Sequence, residues 1–204
     1  MRLRFATLVL TAIAGLTLNG CDPGEVGPTG FQPTQPFGRM RFVNGIPNST
    51  ADPVNVLVEG TPFAINIGYA AAAPASPNLY YPVYQGSRQL AVRRTADTAT
   101  KLLDQALTIA ASTDYTVIAV GPRATVSTVV TTDDNSVPTA GMVKIRAVNA
   151  APSTATVDVY VTAPNASIAA IAPTFPGLAF RSASSYLQLA AGSVQVRFTT
   201  PGTK

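Results

Sequence analysis

One cysteine, no histidine and no tryptophan stand among the 204 residues, and that inventory settles most of the available chemistry. Without imidazole there is neither a Ser-His-Asp nor a Cys-His arrangement, and no histidine ligand for zinc. No lysine stands in a Ser-x-x-Lys setting, and no glycine-rich phosphate loop is present. Asp52, Glu59, Asp97, Asp104, Asp114 and Asp158 are spaced singly, so glycosidase chemistry would need the fold to bring two of them together. Asp133, Asp134, Asn135 and Ser136 offer oxygen ligands, but they match no calcium-loop spacing and are ordinary turn residues. The expectation is a chain without catalytic residues, cofactor or metal.

Aromatic recognition is what remains. Tyr80, Tyr81 and Tyr84 cluster beside a turn at Gln85, Tyr160 follows Asp158 by two residues, and Tyr186 begins a further apolar stretch. Tyrosine rings either stack on a ligand such as a sugar or pack across strands with their hydroxyls at the rim. Tyr80, Tyr81, Tyr84, Asp158, Tyr160 and Tyr186 are therefore the candidate ligand surface. Asp158 and Tyr160 are expected on the face opposite Val157, Val159 and Val161.

The elements that must position these residues are strands. Charged residues are only 12% of the chain against 47% hydrophobic ones, so a core is affordable and the surface is carried by Ser and Thr. Val54, Val56 and Val58 alternate with Asn55 and Leu57, and Val157, Val159 and Val161 alternate in the same way. The chain repeats itself. Val43-Asn44-Gly45-Ile46-Pro47 returns as Val148-Asn149-Ala150-Ala151-Pro152, and Tyr80 to Ser87 returns as Tyr186 to Ser193. Leu79–Tyr84 with Arg88–Arg94, and Leu102–Ile109 with Tyr115–Val120, read as hairpins. Thr100–Ala110 has a short helix as its alternative.

The fold class expected is all-β: tandem immunoglobulin-like β-sandwich modules at 39–132 and 141–204, joined by a linker at 133–140. The second module is expected to be incomplete, because nothing after Phe198 corresponds to Lys101–Thr132.

The start of the chain is an address. Met1–Arg4 is basic and Phe5–Leu18 is an apolar stretch of 14 residues, the length of a signal peptide and too short to span a membrane. It ends Leu18-Asn19-Gly20-Cys21, which resembles the lipobox of bacterial lipoproteins. That resemblance implies a signal peptide at 1–20 and acylation of Cys21, with several acyl chains giving stable anchoring. Residues 21–38, rich in glycine and proline, read as a tether. Asp22 is a weak hint of the inner membrane, and the choice between inner and outer membranes stays open. With Arg2 and Arg4 set aside, 12 basic side chains face 10 acidic ones without a cluster, so no nucleic acid is expected as a partner.

Arg146–Pro152, Asp158-Val159-Tyr160-Val161, Tyr186–Gly192 and Tyr115-Thr116-Val117 together resemble a bacterial extracytoplasmic family, domain of unknown function 4397. The first repeat carries Asn55 where that pattern prefers Asp. The resemblance implies a β-rich envelope or surface module with no established activity. The functional expectation is a non-enzymatic, lipid-anchored, extracytoplasmic protein that binds an envelope polymer or another protein. A spacer presenting a partner is the alternative, and a carboxylate glycosidase is a distant third.

The lipobox reading has a direct check. Cys21→Ser should release the protein from the membrane fraction or leave it unprocessed, and intact-mass analysis should find acyl chains on wild-type Cys21.

Overall fold

A computed structural model describes residues 35–47, 52–76 and 79–204. The expected signal peptide, Cys21, Asp22 and most of the tether lie outside the described residues. Gln35–Lys204 form one compact unit. The described chain is all-β, with one 3₁₀ turn at Arg123–Thr125 and no α-helix among the described residues.

Among the described residues the first half contains nine strands: β1 (Phe37–Gly45), β2 (Val54–Val58), β3 (Thr61–Ile67), β4 (Ala72–Ala73), β5 (Tyr81–Tyr84), β6 (Gly86–Arg94), β7 (Lys101–Ile109), β8 (Asp114–Val120) and β9 (Ser127–Thr132). One sheet has the order β4-β1-β8-β9, with β5 also beside β1; the other has the order β3-β2-β6-β7. Period-two alternation explains how they close on each other. Met40 and Phe42 from the first sheet meet Val54, Val56, Leu90 and Val92 from the second, each no more than 1% exposed. Both faces of β8 are largely buried, in keeping with its place between β1 and β9.

All strand pairs here are antiparallel except β1 and β8, which run parallel from Arg39↔Asp114 to Gly45↔Val120. The start of β1 lies so close to the β7–β8 connection that a Cβ at Gly38 would fall 2.5 Å from the Ala110 carbonyl oxygen and 2.8 Å from that of Thr113. Only glycine fits there.

Both expected hairpins are corrected. β5 pairs with β1 whereas β6 pairs with β2 and β7, so the chain passes from one sheet to the other at Gln85. It crosses again between β7 and β8. Short connections between alternating strands read alike whether the chain folds back or steps across the core, because only the partner differs. The stretch weighed as a helix is β7.

The second half contains β10 (Met142–Ile145), β11 (Thr156–Thr162), β12 (Phe175–Ala179), β13 (Leu187–Ala190) and β14 (Gln195–Thr199). β10 pairs with β13, and the other sheet has the order β12-β11-β14. Here the inward alternation is only partly covered: Val159 is 1% exposed, but Val196 is 46% and Phe198 65%.

Burial sets the expected mutational costs. Phe42→Ala should destabilise by about 3–5 kcal/mol through transfer and cavity terms. Phe198→Ala should change stability by no more than about 0.5 kcal/mol. Thermal or denaturant melts of the two variants check the contrast.

Candidate functional site

Two basic residues two positions apart and one tyrosine form the recurring unit of this surface. On β1, Arg39 and Arg41 point to the face away from the core, because Met40 and Phe42 point inward. Tyr80 lies across them, with the guanidinium carbons 5.5 and 5.1 Å from its ring centroid. In the second half Tyr186 lies across Lys144 and Arg146, with the ammonium nitrogen at 5.7 Å and the guanidinium carbon at 4.8 Å.

Asp133 joins the two units. Its side chain is 1% exposed. Oδ2 accepts from the Tyr80 hydroxyl at 2.6 Å, from the Thr116 hydroxyl, and from Arg41 Nη2 at 3.4 Å. Oδ1 accepts from Arg146 Nη2, and Arg146 Nη1 donates to the Thr132 carbonyl at 2.8 Å. Burial first, then the bond to Asp133, pushes the Tyr80 phenol up. Beside this hub Arg39 grips Asp114 with two bonds of 2.7 and 2.6 Å, and Asn135 donates to the same carboxylate at 2.6 Å. The Arg39 guanidinium holds the Asp114 carboxyl below the usual carboxylate range. Lys144 does the same for Asp134 at 2.7 Å.

A second pattern fixes the backbone around the units. The buried Asn44 donates from Nδ2 to the Ile67 carbonyl at 2.8 Å and accepts from the Ile46 N–H at 3.1 Å. Its backbone carbonyl accepts from the Ala70 N–H at 2.8 Å. Asn149 makes the same set, to the Leu178 carbonyl at 3.1 Å, from the Ala151 N–H at 3.1 Å and from the Arg181 N–H at 2.8 Å. Ala70 and Arg181 both have φ near +60° (59° and 65°). Asn55 and Asp158 likewise each accept from a bulge N–H, that of Asn66 at 2.9 Å and of Gly177 at 2.7 Å. Those two bulge residues have φ of 58° and 57°.

Between the halves lies an open groove of about 480 Å³. Five consecutive residues of β9, Thr128–Thr132, form one wall, and Arg146, Arg181, Ala183, Ser184 and Tyr186 form the other. β9 is the outer strand of its sheet among the described residues. The Arg181 side chain is exposed and makes no hydrogen bond or ion pair with the described residues.

The six residues expected on a ligand surface separate. Tyr80 and Tyr186 cover basic side chains, and of the six only Tyr186 lines the groove. Tyr81 stands edge-on to Phe63 at 5.6 Å, and the Tyr84 carbonyl accepts from Arg88 at 2.9 Å. Asp158 and Tyr160 are corrected: they are 6% and 1% exposed and belong to no open surface. Asp158 is used up by the Gly177 and Gly202 N–H groups. Opposite Tyr160, Arg197 reaches Thr162 and the Ala166 carbonyl and so ties the following loop over that face of β11.

Asp133, Arg41, Arg146, Asn44 and Asn149 are what the sequence reading missed. The signal was present: Arg41-Phe42-Val43-Asn44 and Arg146-Ala147-Val148-Asn149 share the spacing Arg-x-x-Asn.

Two outcomes follow for stability. Asp133→Ala should cost about 3–5 kcal/mol, because it leaves Arg41 and Arg146 without their buried partner. The Asp114 pair gives a pH dependence whose sign is fixed. A carboxyl with a depressed folded pKa contributes stability that is present above its unfolded value of about 3.9 and is lost as pH falls toward its folded one. Melts below about pH 4 should therefore show a shallower loss of stability in Arg39→Met than in the wild type.

No curated protein matches this chain. The family model described as Domain of unknown function (DUF4397) matches residues 38–160, from the start of β1 across Asp133 and Asn149 to Tyr160 in β11. The span holds the first half from Gly38 on, the linking aspartate and the second Arg-x-x-Asn, and the chain belongs to that family.

Proposed function

We propose that this chain is a lipid-anchored protein of a bacterial cell envelope that binds an extracytoplasmic polymer or protein and catalyses no reaction. In this reading Cys21 carries the acyl chains, residues 21–38 hold the folded part off the bilayer, and an immunoglobulin-like module is present twice. The matched bonds of Asn44 and Asn149, of Asn55 and Asp158, and of the two basic–tyrosine units support the duplication. The second module has no counterparts of β7, β8 and β9 among the described residues.

The observation that carries the binding function is the groove between β9 and the second half. There an outer strand carrying threonine hydroxyls faces the Ser184 hydroxyl, the Tyr186 ring and the exposed Arg181. Such a lining suits an extended polar chain, which needs hydrogen bonds along its length and a ring to lie against. The absence of histidine and of a free thiol in the mature chain supports a role in binding over catalysis. A spacer role is the second reading, favoured by the use of Tyr80 to cover Arg39 and Arg41.

Titration against purified cell-wall glycan and envelope polysaccharide tests the binding role. Saturable binding should weaken at least about tenfold in Arg181→Glu, roughly 1.4 kcal/mol. Absence of saturable binding by the wild type would leave the spacer.

A further inference from the structure

We propose that the ligand of the groove is an acidic linear polysaccharide, a polyuronate, and that the Arg181 guanidinium grips one of its carboxylates; this deepens, and rests on, the binding role proposed above.

Charge selects an anion. Two arginines and no carboxylate line the groove. Arg146 is already engaged: Nη2 donates to the buried Asp133, and Nη1 to the Thr132 carbonyl at 2.8 Å. Arg181 has no such partner among the described residues, so its charge is left uncompensated at the groove. The remaining free groups can donate as well. The hydroxyls of Tyr186 and Thr132 make no hydrogen bond with the described residues. Thr128 Oγ1 accepts from Gln105 Nε2 at 2.7 Å and keeps its own proton to give. Donors around one uncompensated guanidinium fit an acceptor-rich anion better than a neutral chain.

The backbone supplies a second, independent sign. Arg181 stands at φ 65°, in the left-handed region, where its N–H bonds the Asn149 carbonyl. Its counterpart in the first half, Ala70, holds the matching bond to Asn44 at φ 59° with only a methyl group. The turn therefore needs no arginine, and a long side chain is strained at a position that glycine fits best. Strain kept at an exposed residue that nothing in the fold uses is the mark of a binding residue.

Two features choose a sugar acid over other anions. The guanidinium fork matches the two oxygens of a carboxylate. The Tyr186 ring lines the same groove, and an aromatic ring gives the apolar face of a pyranose a surface to lie against. A glycerol phosphate polymer or polyglutamate carries charge without a sugar ring to meet it.

Isothermal titration of the purified full chain with hexamers of galacturonate, mannuronate and guluronate, and with their methyl esters, tests the assignment. At least one acid should bind saturably, and its ester, which keeps the ring and loses the charge, at least about tenfold more weakly. Arg181→Gly should weaken binding of that acid at least about tenfold and leave the ester unchanged. Its melting temperature should stay at or above that of the wild type, because glycine accepts the left-handed backbone. The bound acid should slow hydrogen exchange in 128–132 and 181–186. Absence of saturable binding by all three acids, or tighter binding of hexaglutamate or a glycerol phosphate polymer, would overturn the proposal. So would an Arg181→Gly variant that melts well below the wild type, which would assign the arginine to the fold. If acid and ester bind alike, or neutral envelope glycans bind and the acids do not, charge recognition fails while the binding role of the groove stands. If nothing binds, both fail.

Discussion

A sheet that is apolar on one face must have that face covered, and this constraint shapes each part of the chain. The first half meets it by crossing between two sheets four times, from β1 to β2, from β3 to β4, at Gln85 and from β7 to β8, so that Met40, Phe42, Leu90 and Val92 close on one another. The parallel pairing of β1 and β8 is a product of those crossings, since a parallel partner cannot be reached by a tight turn. In the second half the same alternation continues into β14, but Val196 and Phe198 lie open. The difference lies in the strands opposite them, because the side chains themselves are just as apolar.

Polar groups then decide how the two halves meet. Asp133 ends the first half and is buried by Tyr80, Thr116, Arg41 and Arg146, two of them charged. A carboxylate so enclosed is tolerable only because each oxygen has donors, and the arrangement fixes Arg146 against β9. That placement forms one wall of the groove. Recognition at the groove, as proposed, thus depends on a bond made for packing.

Much of the fold was legible in the sequence, and the reasons for the remainder are physical. Alternating valines located β2 and β11, and the repeated Val-Asn blocks marked Asn44 and Asn149 as equivalent positions, although neither their burial nor their bonds were foreseen. Partners were not legible. The stretches on either side of Gln85 looked like a hairpin, because periodicity reports which face is apolar and is silent on which strand lies alongside. Asp158 and Tyr160 were expected outside because they alternate with valines. Alternation assumes one wet face, and Arg197 and Gly202 close that face of β11 from elsewhere in the chain. Asp133 looked like a linker residue for a related reason: its partners Tyr80 and Arg41 are 53 and 92 positions away. Family membership was legible, since the combination of short motifs is matched over residues 38–160.

The central claim is that a fully covered β core is followed by a half whose inner face is open. Native-state hydrogen exchange of the chain alone tests it most directly. Amides of β1, β2, β6 and β8 should exchange only through global unfolding, while those of β10 and β14 exchange at least about a hundredfold faster through local opening. Equal protection of the two sets would contradict the account.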